Sequence, residues 1–478
     1  MTDPTLMSAV EQARLVRERQ ISPRELADAT IARIERQEPM LHAFCAFDPE
    51  RVRLAAGAAE VQVMRGDPLG PLHGVPVSIK DLICTKDYPT QCGSAAYAGF
   101  TPEEDDICVA RVRAAGGVIL GKTNVPELGY AGMGENELFP TTTNPWDRRM
   151  TPGGSSAGSA AAVASGMGAL SIGSDGAGSV RGPSSFCALF GMKPSFGRIP
   201  LYPGCRDPRY PGISSWESWE HLGPMARTVA DAALLMSVIA GPDMRDRHSL
   251  PAGDVDWTAA PATPLRKLRI AFTPDFGFSK VDTQVRDITA QAAQVFAQDL
   301  GCELVEASPP LADMWDLFLA LIMRDSDLVG MRALADAGRI ALPGLTQMLA
   351  HPWSAEDFTN AWVQRQRVQN AISGFMQEFD LLLTPTVSTP AFALGKFGPE
   401  TIEGLPAHEA NSSPFTYPFN WTGQPAANVP AGWTVEGLPV GLQIVGRHLD
   451  DATVLQAAAA FEAAQPWAHR WPDMVTVG

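Results

Sequence analysis

Four polar side chains in this sequence are spaced so that they could do nucleophilic chemistry: Lys80, Ser155, Ser156 and Ser179. The serines stand in two clusters, Gly153-Gly154-Ser155-Ser156 and Gly176-Ala177-Gly178-Ser179, inside the region 151–183. Glycine serves where a backbone needs positive φ or close approach, so the clusters read as paired cradles that present hydroxyls. A serine hydroxyl is a weak nucleophile until a base takes its proton, and a lysine can be that base once burial lowers its pKa. Spacing alone leaves plainer readings open. Lys80 can be a solvated residue at a strand end, and the serines can be caps and turns.

Two formal motif matches compete with this reading. Gly116-Gly117-Val118-Ile119-Leu120-Gly121-Lys122-Thr123 fits the pattern of a phosphate loop, but such a loop needs free backbone between its glycines. Here Val-Ile-Leu is itself a strand. Gly154-Ser155-Ser156-Ala157-Gly158 fits a nucleophile elbow that would make Ser156 the attacking serine. An elbow needs an apolar strand before it, and the preceding NPWDRRMTP is polar and broken by proline. A histidine-dependent esterase using Ser156 is therefore retained only as an alternative.

The elements that must hold these residues follow from the pattern. Residues 74–81 alternate apolar with small or polar side chains, which suits a strand ending near Lys80; alternation sends Asp81 to the opposite face. Between the two clusters, an apolar small-residue run (Ala160 to Leu170) reads as a helix leading into a strand. Helices are expected at 5–20, 23–37, 48–65, 105–115, 224–240 and Met314 to Met323, the second opened by the capping box Ser22-Pro23-Arg24-Glu25. Strands are expected at 118–120, 267–272, 381–384 and 441–445. This alternation predicts an α/β fold, a mixed sheet covered on both faces. No repeat or composition break divides the chain, which is read as one domain, 1–478. Its parts are N-terminal helices (1–65), a core with the chemistry (66–240), a variable helical section (241–380) and a return to the core (381–478).

Composition narrows the partners. Fifty-three acidic against 37 basic side chains give a net charge of −16, which argues against nucleic acid and anionic membranes. Seven cysteines without a CxxC pair predict neither a disulfide framework nor a zinc site. The charged N-terminus is unlike a signal peptide, and the expected compartment is the cytoplasm.

Taken together, VSIKD around Lys80, GGSSAGSAAAVA (153–164) and GSDGAGSVRGPSSFCALFGMKPSFGRIP (173–200) resemble the amidase signature family of serine hydrolases. GKTNVPELGY, TNPWD, HLGPMARTVADAALL, TPT and NWTGQPAANVP with GLPVGLQIVG extend the likeness, leaving only about 245–380 unmatched. The resemblance implies that family's fold, a central twisted mixed sheet between helices, and a Ser-Ser-Lys triad. Its general base falls on Lys80, its bridging serine, preceded by a cis peptide, on Ser155, and its nucleophile on Ser179. Backbone N–H groups of Gly176, Ala177, Gly178 and Ser179 become the oxyanion hole. Ala177 stands where the family usually has glycine, which is tolerable if that residue keeps negative φ. Asp175 and Arg181 are assigned, with Ser156, to bracing the loop; a solvent-facing ion pair is the plainer reading of the first two.

The implied activity is hydrolysis of a carboxylic amide through an acyl-enzyme, without metal or other cofactor. The segment after Pro200 is long and aromatic. It suggests neutral, apolar or aryl amides, including anilides, hydrazides or carbamates. Trp216, Trp219, Trp315, Phe318 and Trp421 are the candidate pocket walls, with structural packing as the other reading of the tryptophans. The expected partners are a small-molecule amide and, in a homodimer, a second copy of the chain. The family also contains the glutaminase component of the tRNA-dependent amidotransferases, which acts with partner proteins and is the main alternative.

Overall fold

Short apolar runs bounded by glycine and proline make the strands. In chain order they are β1 (Phe44–Phe47), β2 (Pro76–Lys80), β3 (Val118–Thr123), β4 (Leu170–Asp175), β5 (Phe190–Lys193), β6 (His221–Ala226) and β7 (Arg269–Phe272). Then come β8 (Glu303–Glu306), β9 (Leu381–Pro385), β10 (Thr401–Ile402), β11 (Leu405–Pro406), β12 (Ala426–Trp433) and β13 (Pro439–Gly446). The computed structural model describes residues 3–203, 216, 218–253, 255–407 and 413–476. Eleven of the strands form one sheet in the order β1-β3-β2-β4-β6-β5-β12-β13-β9-β7-β8, and β10 and β11 form a separate ribbon. The sheet is mixed. Strand β2 runs parallel to β3 and β4, while β4–β6, β5–β6 and β12–β13 are antiparallel.

Both faces of the sheet are buried, as the α/β reading requires. Along β9, Leu381 and Leu383 join one core cluster and Leu382 joins the other, because successive side chains point to opposite faces. The N-terminal helices α1 (Ala9–Arg17), α2 (Pro23–Leu41) and α3 (Pro49–Arg65) match expectation, and the Ser22–Glu25 capping box is present. They are followed by α4 (Ile107–Ala114), α5 (Ala157–Ala164), α6 (Arg181–Phe186), α7 (Val229–Ile239) and α8 (Thr283–Gln298). The section unlike the rest in sequence supplies α9 (Trp315–Arg324), α10 (Leu328–Asp336), α11 (Pro343–Ala350) and α12 (Ala355–Phe375).

One expectation fails. The helix read at 224–240 starts only at Val229, because residues 221–226 are the buried strand β6. Strand β6 carries Gly223 and Pro224 opposite β4, two residues that weaken any strand pattern. The phosphate-loop match is settled the other way: its Gly121-Lys122-Thr123 lies within β3, and Lys122 is fully buried against Asp81, Nζ to Oδ1 3.2 Å.

Candidate active site

The site lies where β2 and β4 end side by side. Their parallel register, Val77 opposite Leu170 and Ile79 opposite Ile172, brings Lys80 level with the Gly173-Ser174 end of β4. Ligand sites in α/β sheets gather at such carboxyl ends. Lys80 is fully buried. Its Nζ donates to Ser155 Oγ at 2.7 Å, Ser174 Oγ at 2.9 Å and Ser174 O at 3.0 Å. Asp81, next in sequence, turns to the opposite side and accepts from Gln91 N at 3.0 Å besides pairing with Lys122. The lysine at the strand end is therefore enclosed by hydroxyls and a carbonyl, not solvated.

The two glycine-serine clusters meet beside it. The Gly154–Ser155 peptide is cis, as the resemblance implied, and Ser155 is buried. Gly154 has no room for a side chain: a Cβ there would lie 2.4 Å from Met133 O. Ser156 N donates to Ser179 O at 3.3 Å, which ties the first cluster to the second. Ser156 Oγ donates to Ser174 O at 3.3 Å, and the residue is fully buried, a poor setting for an attacking serine. Ser155 Oγ and Ser179 Oγ are not hydrogen bonded to each other. Ser179 itself is half-buried and lines a cavity of about 880 Å³.

The turn from β4 into α6 is shaped by one buried ion pair. Asp175 and Arg181 are both fully buried, with Oδ1 to Nη2 2.8 Å, so the solvent-facing reading is excluded. Burial alone would raise the Asp175 pKa; the Arg181 charge and hydrogen bonds, with those of Asn420, outweigh it and hold the carboxyl well below the usual range. The carboxylate accepts from Gly178 N at 2.7 Å, Val180 N at 3.2 Å and Arg181 N at 3.4 Å. Gly178 has φ +122°, and a Cβ there would meet Thr416 Oγ1 at 2.4 Å. Ala177 is not among the positive-φ residues, which removes the steric objection to alanine.

This corrects the expected oxyanion hole. The Gly178 N–H is committed to Asp175, so of the four expected donors only Gly176, Ala177 and Ser179 keep an N–H without a protein acceptor among the described residues. The pocket walls are also revised. Trp216, Trp315 and Phe318 line the cavity with Tyr130, Phe186, Val387 and Tyr417. Trp219 and Trp421 do not; both are buried behind it, stacked with centroids 6.1 Å apart. Ser174, Asn420 and Thr416 escape the sequence reading because only strand register and chain return bring them to the loop. Asn420 Nδ2 donates to Asp175 O at 2.6 Å, and Thr416 Oγ1 to Ala177 O at 2.6 Å.

The charge of the cavity is one-sided. Among the described residues no lysine or arginine lines it, and its acidic side chains are Asp316 and Asp357 near helices α9 and α12. No group of three or more His, Cys, Asp or Glu side chains able to hold a metal occurs among the described residues, and no described helix is long and apolar enough to cross a membrane.

Known proteins resemble this chain over nearly its whole length. The profile of the family described as Amidase matches residues 25–455. An acylamidase of Rhodococcus erythropolis is 38% identical over 485 residues, covering 99% of this chain and 98% of that protein. The crystal structure of a bacterial aryl acylamidase of the amidase signature family superimposes with a TM-score of 0.88 at 32% identity, covering 97% of each chain. The structure of a 6-aminohexanoate cyclic dimer hydrolase superimposes with a TM-score of 0.86 at 29% identity, covering 98% of this chain and 99% of that one. A component of the glutamyl-tRNA(Gln) amidotransferase of Chloroflexus aggregans is 37% identical, covering 94% of each.

Proposed function

The chain belongs to the amidase family and hydrolyses the C–N bond of carboxylic amides; from that premise we propose a stand-alone enzyme for neutral amides with apolar or aryl acyl groups. The observation that carries this reading is the cluster of polar groups next to the Ser179 wall of an aromatic-lined cavity. Lys80, Ser155 and Ser174 interlock in the buried layer behind Gly153-Gly154 and the half-buried Ser179, which line the cavity.

In this reading Ser179 Oγ attacks the amide carbonyl carbon while its proton passes to Ser155 Oγ, and the Ser155 proton passes to Lys80 Nζ. For Lys80 to take that proton, its amine keeps two N–H groups on Ser174 O and Oγ and turns its lone pair to Ser155, reversing the donation across the 2.7 Å contact. The carbonyl π electrons move onto oxygen, held by the N–H groups of Gly176, Ala177 and Ser179, each able to contribute about 2.7–4 kcal/mol to the transition state. Collapse breaks the C–N bond, and the departing nitrogen takes a proton from Lys80 through Ser155. Water then attacks the acyl-enzyme by the same route and frees the acid. The Ser155–Ser179 hydrogen bond has to form as substrate binds, since catalytic hydrogen bonds tighten in the Michaelis complex.

Substrate class rests on the walls. An aromatic cavity with carboxylates and, among the described residues, no lysine or arginine favours neutral acyl groups over carboxylate-bearing ones. In this reading the acylating residues Lys80, Ser155 and Ser179 all belong to this chain, which then needs no partner protein for turnover, alone or as a homodimer. Purified protein alone should release amine from an acyl nitroanilide. Turnover that appears only after a partner protein is added would overturn the stand-alone reading.

A further inference from the structure

The peptide planes of the loop after β4 are not all held alike. In a trans peptide the C=O and the following N–H point in opposite directions, so a hydrogen bond to one aims the other. Asn420 grips Asp175 O at 2.6 Å and thereby aims the Gly176 N–H. Gly182 N donates to Gly178 O at 2.7 Å and aims the Ser179 N–H. Thr416 grips Ala177 O at 2.6 Å, and the N–H of that peptide goes to Asp175. The remaining peptide joins Gly176 to Ala177. Gly176 O accepts no hydrogen bond among the described residues, and glycine is the residue least restrained by its own sterics.

A side chain from outside the loop restrains it instead. Trp216 lies so close over Gly176 that a Cβ there would be 2.3 Å from the indole Cε3 and Cζ3. The indole is itself fixed. Its Nε1 donates to Tyr130 Oη at 3.1 Å, its ring meets Tyr130 edge-on at 5.1 Å, and its backbone N donates to Asp325 O at 3.1 Å, just beyond α9. We infer that Trp216 is a positioning residue: its indole, pressed on Gly176, orients the 176–177 peptide and so aims the Ala177 N–H at the oxyanion. This rests on the reading that Ser179 is acylated, and goes beyond a tryptophan that merely walls the pocket.

Positioning and walling predict different kinetics. Wild type, Trp216→Phe, Trp216→Leu and Trp216→Ala would be compared on an acetyl anilide and a bulky phenylalkanoyl anilide. Binding of an aryl trifluoromethyl ketone, which forms a tetrahedral adduct, is measured beside them, with circular dichroism to confirm folding. Positioning predicts that Trp216→Leu loses about 10–100-fold in kcat on both anilides alike, with a parallel loss of ketone affinity. Trp216→Phe, which keeps a flat ring over Gly176, should stay within about threefold of wild type. A loss confined to the bulky anilide, or falling in KM with kcat and ketone affinity intact, overturns the inference. If Trp216→Ala does not fold, the Leu and Phe variants alone decide. A wild type inactive on both anilides would refute the proposed function instead, so the two failures are distinguishable.

Discussion

Replacing Arg181 with methionine would take from the buried Asp175 carboxylate the guanidinium paired with it, leaving Asn420 and the more distant Lys193 as its partners. The pair is fully buried on both sides, so solvent does not screen it, and removing one member of such a pair costs about 3–5 kcal/mol. The guanidinium also donates to Thr416 O at 3.0 Å and Gln443 Oε1 at 2.7 Å, which places the expectation at the upper part of that range. The pH dependence is the sharper signature. In the wild type the Asp175 pKa is depressed, so its contribution is present above the ordinary 3.8 and is lost as pH falls through the folded value. In Arg181→Met burial is the dominant influence, the folded pKa rises above 3.8, and the sign reverses: stability is greatest below 3.8 and falls as pH rises through the new value. Urea titrations of both proteins from about pH 7.5 to about pH 4 should show a deficit of about 3–5 kcal/mol near neutrality that shrinks on acidification. A deficit below about 1 kcal/mol near neutrality, or one that does not change with pH, would refute the buried-pair reasoning.

Ser174→Ala removes one of the Lys80 partners without touching Ser155 or Ser179; kcat should fall about 10–100-fold with little change in KM, as read from steady-state rates. Gly178→Ala puts a Cβ 2.4 Å from Thr416 Oγ1 at φ +122°, so activity should drop at least as far, and adding Thr416→Gly should not restore it, because the φ strain remains. Glu38 is pushed up to about 7 by burial, against hydrogen bonds from Phe44 N and Ala43 N. A raised pKa means its contribution is full below 4.5 and lost as pH rises through about 7, so Glu38→Gln, whose amide can accept only one of the two N–H bonds, should be the less stable at pH 4.5 and gain about 2–3 kcal/mol relative to wild type by about pH 8, by denaturant titration. Anilides matched in size but bearing a carboxylate in place of a neutral group should show kcat/KM at least about tenfold lower, and equal rates would contradict the substrate class drawn from the cavity charge.

The parts of this molecule legible in the sequence are those whose cause is local. Alternation along 74–81 predicts both the strand and the opposite faces of Lys80 and Asp81, and the structure separates them as expected. The capping box at Ser22 and the α5–β4 order follow likewise from short-range pattern. Strand β6 escapes notice because a buried strand of Leu-Gly-Pro-Met-Ala has neither alternation nor β-branched residues. Ser174 does so because its meeting with Lys80 is a matter of register between β2 and β4, which no single segment encodes. Trp219 and Trp421 read as pocket walls because an aromatic residue lining a cavity and one stacked behind it look the same in sequence. The oxyanion donors are overcounted for a related reason: only the fold shows that Asp175 has already taken the Gly178 N–H.

The central claim is that Ser179, and neither Ser155 nor Ser156, carries the acyl group. All three fall in one tryptic peptide, Met150–Arg181, so tandem mass spectrometry of the fluorophosphonate-labelled enzyme can locate the adduct within it. The account predicts the added mass on Ser179, and its absence when Lys80 is replaced by alanine. An adduct on Ser156, or labelling of Ser179 that proceeds at the wild-type rate in Lys80→Ala, would contradict it.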